Sequence, residues 1–284
     1  MKILLTGKHG QVGSALLRVL GRAGEVIAWG RSDLDLLDLK SIPEKMRKLR
    51  PAVIVNAAAY TAVDRAERER ELAFAVNAEA VRALAAEARK LDALLVHFST
   101  DYVFDGEKAT PYVESDAPNP INVYGASKLA GERAIAESGC RHVIFRTGWV
   151  YSASGRNFVR AILAAAREKP ELHVVNDQRG APTAADAIAE AVAKIIASNG
   201  LKTLASGLYH LSAGGETTWY GFAKEILQRK GIAVPVVPAT SDQYPAAAKR
   251  PRNSLLDSGL LRRTFGVALA DWRGPLAAVL DAIH

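Results

Sequence analysis

Two periods of apolar residues alternate along the chain. Short β-branched and leucine-rich runs at Lys2–Thr6, Glu25–Trp29, Pro51–Asn56, Leu94–Ser99 and His142–Arg146 read as buried strands. Between them the apolar positions switch to helical spacing, as at Val12, Ala15, Leu16, Val19 and Leu20. Ser41-Ile42-Pro43-Glu44 is a helix start of the capping-box kind, with proline tolerated in the first turn. Asp64–Lys90 is rich in alanine and opposite charges without glycine or proline, which predicts one long helix. Strands alternating with helices predict an α/β fold around a parallel, doubly wound sheet.

The second half is less regular. It predicts helices over Asn157–Glu168, Thr183–Ser198 (capped by Thr183) and Thr218–Lys230, the last stopped by Gly231. Short strands are expected at Leu172–Val175 and Gly207–Leu211, with a polar turn from Asn176 to Pro182 between the first of them and the next helix. Beyond Ile232, four prolines break the chain, and Arg250-Pro251-Arg252-Asn253-Ser254 sets two cations and two hydrogen-bonding groups in one short loop. The organisation expected is a nucleotide-binding part over 1–149 and about 171–213. A smaller, discontinuous C-terminal part over 150–170 and 214–284 would hold the substrate.

Composition narrows the function classes. With 284 residues, 49% of them hydrophobic and 24% charged, the chain can bury a sizeable core. A single cysteine, Cys140, excludes an internal disulfide and a cysteine-rich metal site. The apolar run after Met1 is too short for a signal peptide, and no run approaches the ~20 residues of a membrane span, so a cytoplasmic protein without a membrane partner is expected. The net charge of +7 is spread among Asp and Glu rather than gathered in a stripe with aromatics. That distribution favours small anionic ligands over nucleic acid.

The first strand runs into Gly7-Lys8-His9-Gly10-Gln11-Val12-Gly13 and then a helix, the context of a dinucleotide-binding turn. Its glycines permit a tight turn and close backbone approach, while helix-end N–H groups receive a pyrophosphate. After the second strand stands Gly30-Arg31-Ser32, where an acid would suit the ribose of NAD. A guanidinium there can engage a 2′-phosphate through two parallel donors, which points to NADPH, with NADH remaining possible. Asp33 and Asp35 lie close by and pull the other way. Small residues at Ala57, Ala58 and Ala59, before Tyr60, let a cofactor lie against the end of the third strand.

Tyr124 and Lys128 stand four apart, so a helix puts them on one face. An ammonium one turn away is expected to pull the phenol below its usual pKa near ~10 and poise it as a general acid. Thr100 closes the Leu94–Ser99 strand, and ligand sites in such sheets lie beyond strand carboxyl ends.

Taken together, the stretches Gly7–Gly13, Val55–Asp64, Ser99–Gly106, Tyr124–Glu132, Phe145–Tyr151, Asn176–Thr183 and Arg250–Ser254 resemble the extended short-chain dehydrogenase/reductases, over nearly the full length. Within that superfamily the chain is similar to the dTDP-4-dehydrorhamnose reductase family. The resemblance implies a Rossmann-type fold and NAD(P)H reduction of the C4 ketone of dTDP-4-dehydro-6-deoxy-L-mannose. It implies Tyr124 as proton donor, Lys128 on the nicotinamide ribose, and Thr100 on the sugar oxygen. Trp149 would pack on the sugar, and Arg250, Arg252 and Asn253 would face the diphosphate and nucleotide. Asp101, Val103 and Phe104 would also border the substrate. Cofactor contacts are implied for the glycine loop (Gly7, Gly10, Gln11, Val12, Gly13), for Arg31, Ser32, Asp38 and Leu39, and for Ala57–Tyr60.

Related dehydratases resemble one another in an Asp-Glu pair after the threonine; here Asp101 precedes Tyr102, which argues against elimination. Some relatives bridge a dimer through a metal held by an acid on the first helix. The matching Ser14-Ala15-Leu16 has none, so no metal and a monomer or weak homodimer are expected. A ketoreductase for another dTDP-deoxysugar is the nearest alternative. A non-catalytic NADP-binding protein, similar to the regulatory subunit of methionine adenosyltransferase, is a remoter one.

Overall fold

The computed structural model describes residues 1–198 and 204–283. In chain order its elements begin β1 (Lys2–Thr6), α1 (Gln11–Val19), β2 (Glu25–Trp29), α2 (Ser41–Leu49) and β3 (Val53–Asn56). Then come α3 (Val63–Ala66), α4 (Arg70–Phe74), α5 (Ala80–Leu91), β4 (Leu94–Thr100), α6 (Val123–Ser138), β5 (His142–Thr147) and β6 (Val150–Tyr151). The remainder is α7 (Phe158–Glu168), β7 (Leu172–Val175), β8 (Arg179–Gly180), β9 (Thr183–Ala184), α8 (Ala185–Ala197) and β10 (Gly207–His210), followed by β11 (Thr217–Thr218), α9 (Trp219–Arg229), β12 (Val236–Ala239), α10 (Gly259–Phe265) and α11 (Arg273–Asp281).

Six strands form one parallel sheet in the order β10-β5-β4-β3-β1-β2. Strand order reverses at β1, so the turn after it opens at the switch point where such sheets bind ligands. Both faces are covered. On one, α1 and α8 pack over Leu5, Val55, Val96 and Phe145; on the other, Ile42, Leu84, Ala88 and Ile135 pack over Leu4, Ile54, Leu95 and Ile144. Burial on both faces explains the unbroken apolar runs of β3, β4 and β5. This is the α/β, doubly wound parallel architecture the sequence predicts.

A separate apolar cluster joins α7, β7, α9 and α11 around Tyr151, Phe222 and Trp272. Two expectations on the division of the chain change here. β7, read with the nucleotide-binding part, pairs in parallel with β12 and belongs to this second cluster. The α10 region, read with the substrate part, returns Leu261 and Val267 to the main core.

The predicted helix over Asp64–Lys90 is broken. α3 and α4 are separate, and a π turn over Ala75–Glu79 precedes α5. The π turn delivers Asn77 inward, where Oδ1 accepts from Tyr60 N–H at 2.9 Å and Nδ2 donates to Ser127 Oγ at 2.9 Å. Propensity could not show this because the demand comes from tertiary partners. Thr183 does not cap α8 either; its hydroxyl donates to Ala181 O at 2.9 Å and accepts from Ala213 N–H at 3.2 Å. Likewise the side chain of Ser41 makes no capping box, because Asp38 reaches the Ser41 N–H instead, at 3.3 Å.

Candidate active site

A cleft of about 470 Å³ opens above the carboxyl ends of β1, β2 and β3, lined by Gly7, Gly10, Arg31 and Ala57–Tyr60 among others. Gly7 adopts φ +76°, and a Cβ there would lie 2.6 Å from Ala58 N. A Cβ on Gly13 would lie 2.0 Å from Gly7 O, so the loop can close onto α1 only with glycine at both positions. The free N–H groups of the first turn of α1 point beyond Gly10, where an anion is favoured.

Arg31 is exposed at the rim of this cleft, and its ion pair with Asp35 is long, at 3.4 Å. Asp33 is engaged elsewhere: it accepts from Lys8 Nζ at 2.7 Å and from Gly30 N–H at 2.8 Å, contacts that hold its carboxyl below the usual range. The acid that competed with Arg31 in the sequence therefore braces the turn. Arg65 and His9 also line the cleft, with Arg65 paired to Glu69 at 2.7 Å. Neither was singled out from sequence, because nothing in the local pattern distinguishes them.

Other residues expected at the cofactor are not among those lining the cleft. Gln11 turns away: its Oε1 accepts from Ser152 Oγ at 2.9 Å and Asn157 Nδ2 at 3.0 Å, tying α1 to the second cluster. Val12 packs on the main core. Ser32, Asp38 and Leu39 are exposed outside the cleft.

Thr100 ends β4 and Tyr124 opens α6, whose N-terminus is capped by Asn122 Oδ1 accepting from Gly125 N–H at 2.8 Å. Gly125 allows the helix to press on the segment just after β4, for a Cβ there would come within 2.0 Å of Tyr102 O. The Thr100 hydroxyl, beside the Tyr124 phenol, donates to Asp101 Oδ1 at 2.9 Å and accepts from Tyr102 N–H at 3.1 Å. Tyr124, Thr100 and Lys128 are thus brought together as the sequence suggested.

Their electrostatics differ from expectation. Burial pushes Tyr124 up to about 12, and the neighbouring Asp101 carboxylate adds to the rise. Burial also lowers Lys128, to about 8, although Glu132 one turn on opposes this. Burial, not the lysine, dominates the phenol, and the Lys128 amine contacts His97 Nε2 at 3.1 Å. A proton donor for reduction needs the phenol intact, and this environment keeps it so.

A second cleft, about 1040 Å³, is lined by Tyr102, Gln178, Trp219, Arg250 and Arg252. Arg250 is paired with Asp64 at 2.7 Å, which holds that carboxyl below the usual range. Arg252 is exposed with no side-chain partner among the described residues, free to meet an anion. Trp149 does not present a face to this cleft. Its ring stacks on Trp219 at 3.5 Å and 3°, and a Cβ on Gly180 would come within 2.3 Å of it. Trp219, missed from sequence, lines the cleft instead, half-buried as Trp149 is.

The remaining residues expected at the substrate are buried. Asn253 Nδ2 donates to Lys108 O at 2.7 Å and Thr110 O at 3.0 Å, holding the loop from within. Val103 and Phe104 are enclosed with Tyr112 and Leu129, Phe104 stacking on Tyr112 at 4.1 Å. Asp101 is sealed under Gly148, where burial raises its carboxyl to about 6.

The whole chain, residues 1–284, matches the family model described as RmlD substrate binding domain. It is 45% identical to a dTDP-4-dehydrorhamnose reductase of Burkholderia thailandensis, covering 96% of each chain. It is 43% identical to that of Escherichia coli K12, covering 100% of this chain and 98% of the other. Among solved structures, the dTDP-4-dehydrorhamnose reductase of Bacillus anthracis in complex with NADP superposes with a TM-score of 0.93 at 34% identity, covering 99% and 98%. A UDP-glucose 4-epimerase of Thermus thermophilus, at 22% identity and a TM-score of 0.83 over 99% and 98%, shares the fold. With a glycine cradle, a Thr–Tyr–Lys set at adjoining strand ends and a match along its entire length, the chain belongs to the RmlD substrate binding domain family.

Proposed function

We propose that this chain reduces the C4 ketone of dTDP-4-dehydro-6-deoxy-L-mannose with NADPH, giving dTDP-L-rhamnose. The observation that carries the reading is Thr100, Tyr124 and Lys128 gathered at the end of β4, next to β3 and its glycine-lined cleft. The named relatives, 43% and 45% identical over 96% or more of this chain, are dTDP-4-dehydrorhamnose reductases. The cradle fits a dinucleotide: Gly7 and Gly13 leave no room for a Cβ, and Arg31 stands at the rim for a 2′-phosphate. Bound there, NADPH supplies the hydride. Gly10 and the first turn of α1 hold the pyrophosphate, and Lys128 the nicotinamide ribose.

Tyr124 gives its phenolic proton to the sugar alkoxide, and Thr100 orients the phenol and the sugar oxygen. Arg252 meets the substrate diphosphate, with Arg250 beside it, and Trp219 walls the sugar with Trp149 stacked behind it. The smaller cluster around Phe222 and Trp272 serves as the substrate part; it takes in β7 as well as α7, α9 and α11. The enzyme acts in the cytoplasm as a monomer or weak homodimer, without nucleic acid or membrane. In support, none of the helices in the described residues is long and apolar enough to cross a membrane.

The test supplies the dTDP-4-keto sugar made by dehydratase and 3,5-epimerase, follows NADPH oxidation, and reads the C4 configuration of the product by NMR. Tyr124→Phe should cut turnover by roughly 10²-fold or more while NADPH still binds. Near-normal turnover in that variant would remove Tyr124 from its role.

A further inference from the structure

A line of buried polar side chains leaves the catalytic lysine on the side away from Tyr124. Lys128 Nζ meets His97 Nε2 at 3.1 Å, and His97 Nδ1 meets Asn56 Nδ2 at 3.1 Å. Asn56 Oδ1 in turn accepts from Thr6 Oγ1 at 2.6 Å. All four are buried, His97 completely, on the neighbouring strands β1, β3 and β4 and on α6. Thr6 lines the cofactor cleft. A parallel sheet core ordinarily carries apolar side chains at such positions, as Leu5, Val55 and Val96 do beside them. Three adjacent polar residues ending on a lysine call for a reason.

The donor arithmetic supplies one. As oriented, Asn56 Nδ2 donates to His97 Nδ1, so the neutral ring carries its proton on Nε2 and donates it to Lys128 as a free amine. Turning the Asn56 amide over reverses every bond. Lys128 then donates as an ammonium to Nε2, Nδ1–H donates to Asn56 Oδ1, and Asn56 Nδ2 donates to the Thr6 hydroxyl. Each group can serve in either direction, so the line of contacts from Thr6 to Lys128 survives the reversal.

We propose that His97 is a positioning residue for Lys128, its two neutral tautomers, read out through Asn56 and Thr6, holding the lysine in one place in both its protonation states. This rests on the reductase reading above. Burial supports it twice over: it keeps His97 uncharged by pushing the imidazole well below its ordinary range, and it brings Lys128 down to about 8. The other groups facing the pair are few. Glu132 lies on the lysine's own helix, held by Ser99 from β4 and by Arg146 from β5 at 2.6 Å. Tyr124 is on that helix too, and Asn77 from the π turn carries no charge.

The direct readout is ¹⁵N NMR of the histidine-labelled, cofactor-free protein, with the His97 signals assigned through His97→Gln. The ring should show Nδ1–H below the Lys128 titration and Nε2–H above it, without becoming an imidazolium, and Lys128→Met should abolish the exchange. One tautomer throughout, or the same exchange in Lys128→Met, overturns the proposal. In turnover, His97→Leu should lower kcat by roughly 10- to 100-fold while the KM for the sugar stays within about twofold. It should also move the alkaline limb of the pH profile down by about one pH unit. His97→Gln, whose amide both donates and accepts, should recover most of the rate. If His97→Leu does not fold, His97→Gln and the tautomer signal decide the matter, and a kcat and pH limb unchanged in a folded His97→Leu overturn it. Should the wild type prove inactive on the keto sugar, the reductase reading fails, while the NMR result stands independently.

Discussion

Replacing Lys128 by methionine should stabilise the protein while abolishing reduction. Lys128 is almost wholly buried, and its amine falls from 10.5 to about 8 on folding. Holding it as the ammonium therefore costs about 3 kcal/mol, at ~1.4 kcal/mol for each pH unit. Because the folded-state pKa is the lower one, the cost is fully present below about pH 8. Between that point and 10.5 the unfolded chain binds more protons, so stability rises with pH there and the cost is gone above it. Methionine has a similar length and no charge, but it leaves His97 Nε2 unpaired, which costs about 1 kcal/mol. The net gain is about 2 kcal/mol near neutral pH, a rise in Tm of roughly 4–6 °C for a chain of this size. Thermal unfolding from pH 6 to 10 measures it. The wild-type midpoint should climb above pH 8 relative to a flat variant curve. A variant that melts at or below the wild type near neutral pH, with parallel pH curves, would refute the assignment of a charged, desolvated lysine.

Arg31→Ala should raise the KM for NADPH by roughly 10- to 100-fold, the worth of charge-assisted bonds to a phosphate, and leave NADH nearly untouched. An unchanged preference between the two would show that another group reads the 2′-phosphate. Gly131→Ala should destabilise by about 1–3 kcal/mol, because its Cβ would lie 2.2 Å from Asn77 O and force the π turn away from α6. An unaltered Tm would refute that close packing. Trp219→Ala should raise the KM for the sugar nucleotide by roughly 10-fold, more than it lowers kcat, since it removes the aromatic wall from the second cleft. Equal kinetics would return that role to Trp149.

The family and the chemistry were legible in the chain itself. A glycine loop between a β-branched run and an amphipathic helix can serve few purposes, since its requirement for absent Cβ atoms is written into residue type. A tyrosine and a lysine four apart share a helix face wherever that helix sits. Strand and helix periods, being local, gave the alternation of the parallel sheet.

Only the folded chain decided how the site is charged and which side chains face it. Proximity along a helix predicted that Lys128 would lower Tyr124; burial prevailed, and the amine meets His97, 31 residues upstream in sequence on β4. Trp149 could not be distinguished from Trp219 until the two rings were seen stacked, with only the latter lining the cleft. Asn253 looked like a ligand because its amide bonds to Lys108 and Thr110 backbone are invisible in a one-dimensional string. Sequence determines what depends on neighbours in the chain: conformation, period and the supply of chemical groups. Desolvation and pairing depend on residues brought from far away, so the protonation of Lys128 and the occupants of each cleft were settled by the tertiary structure alone.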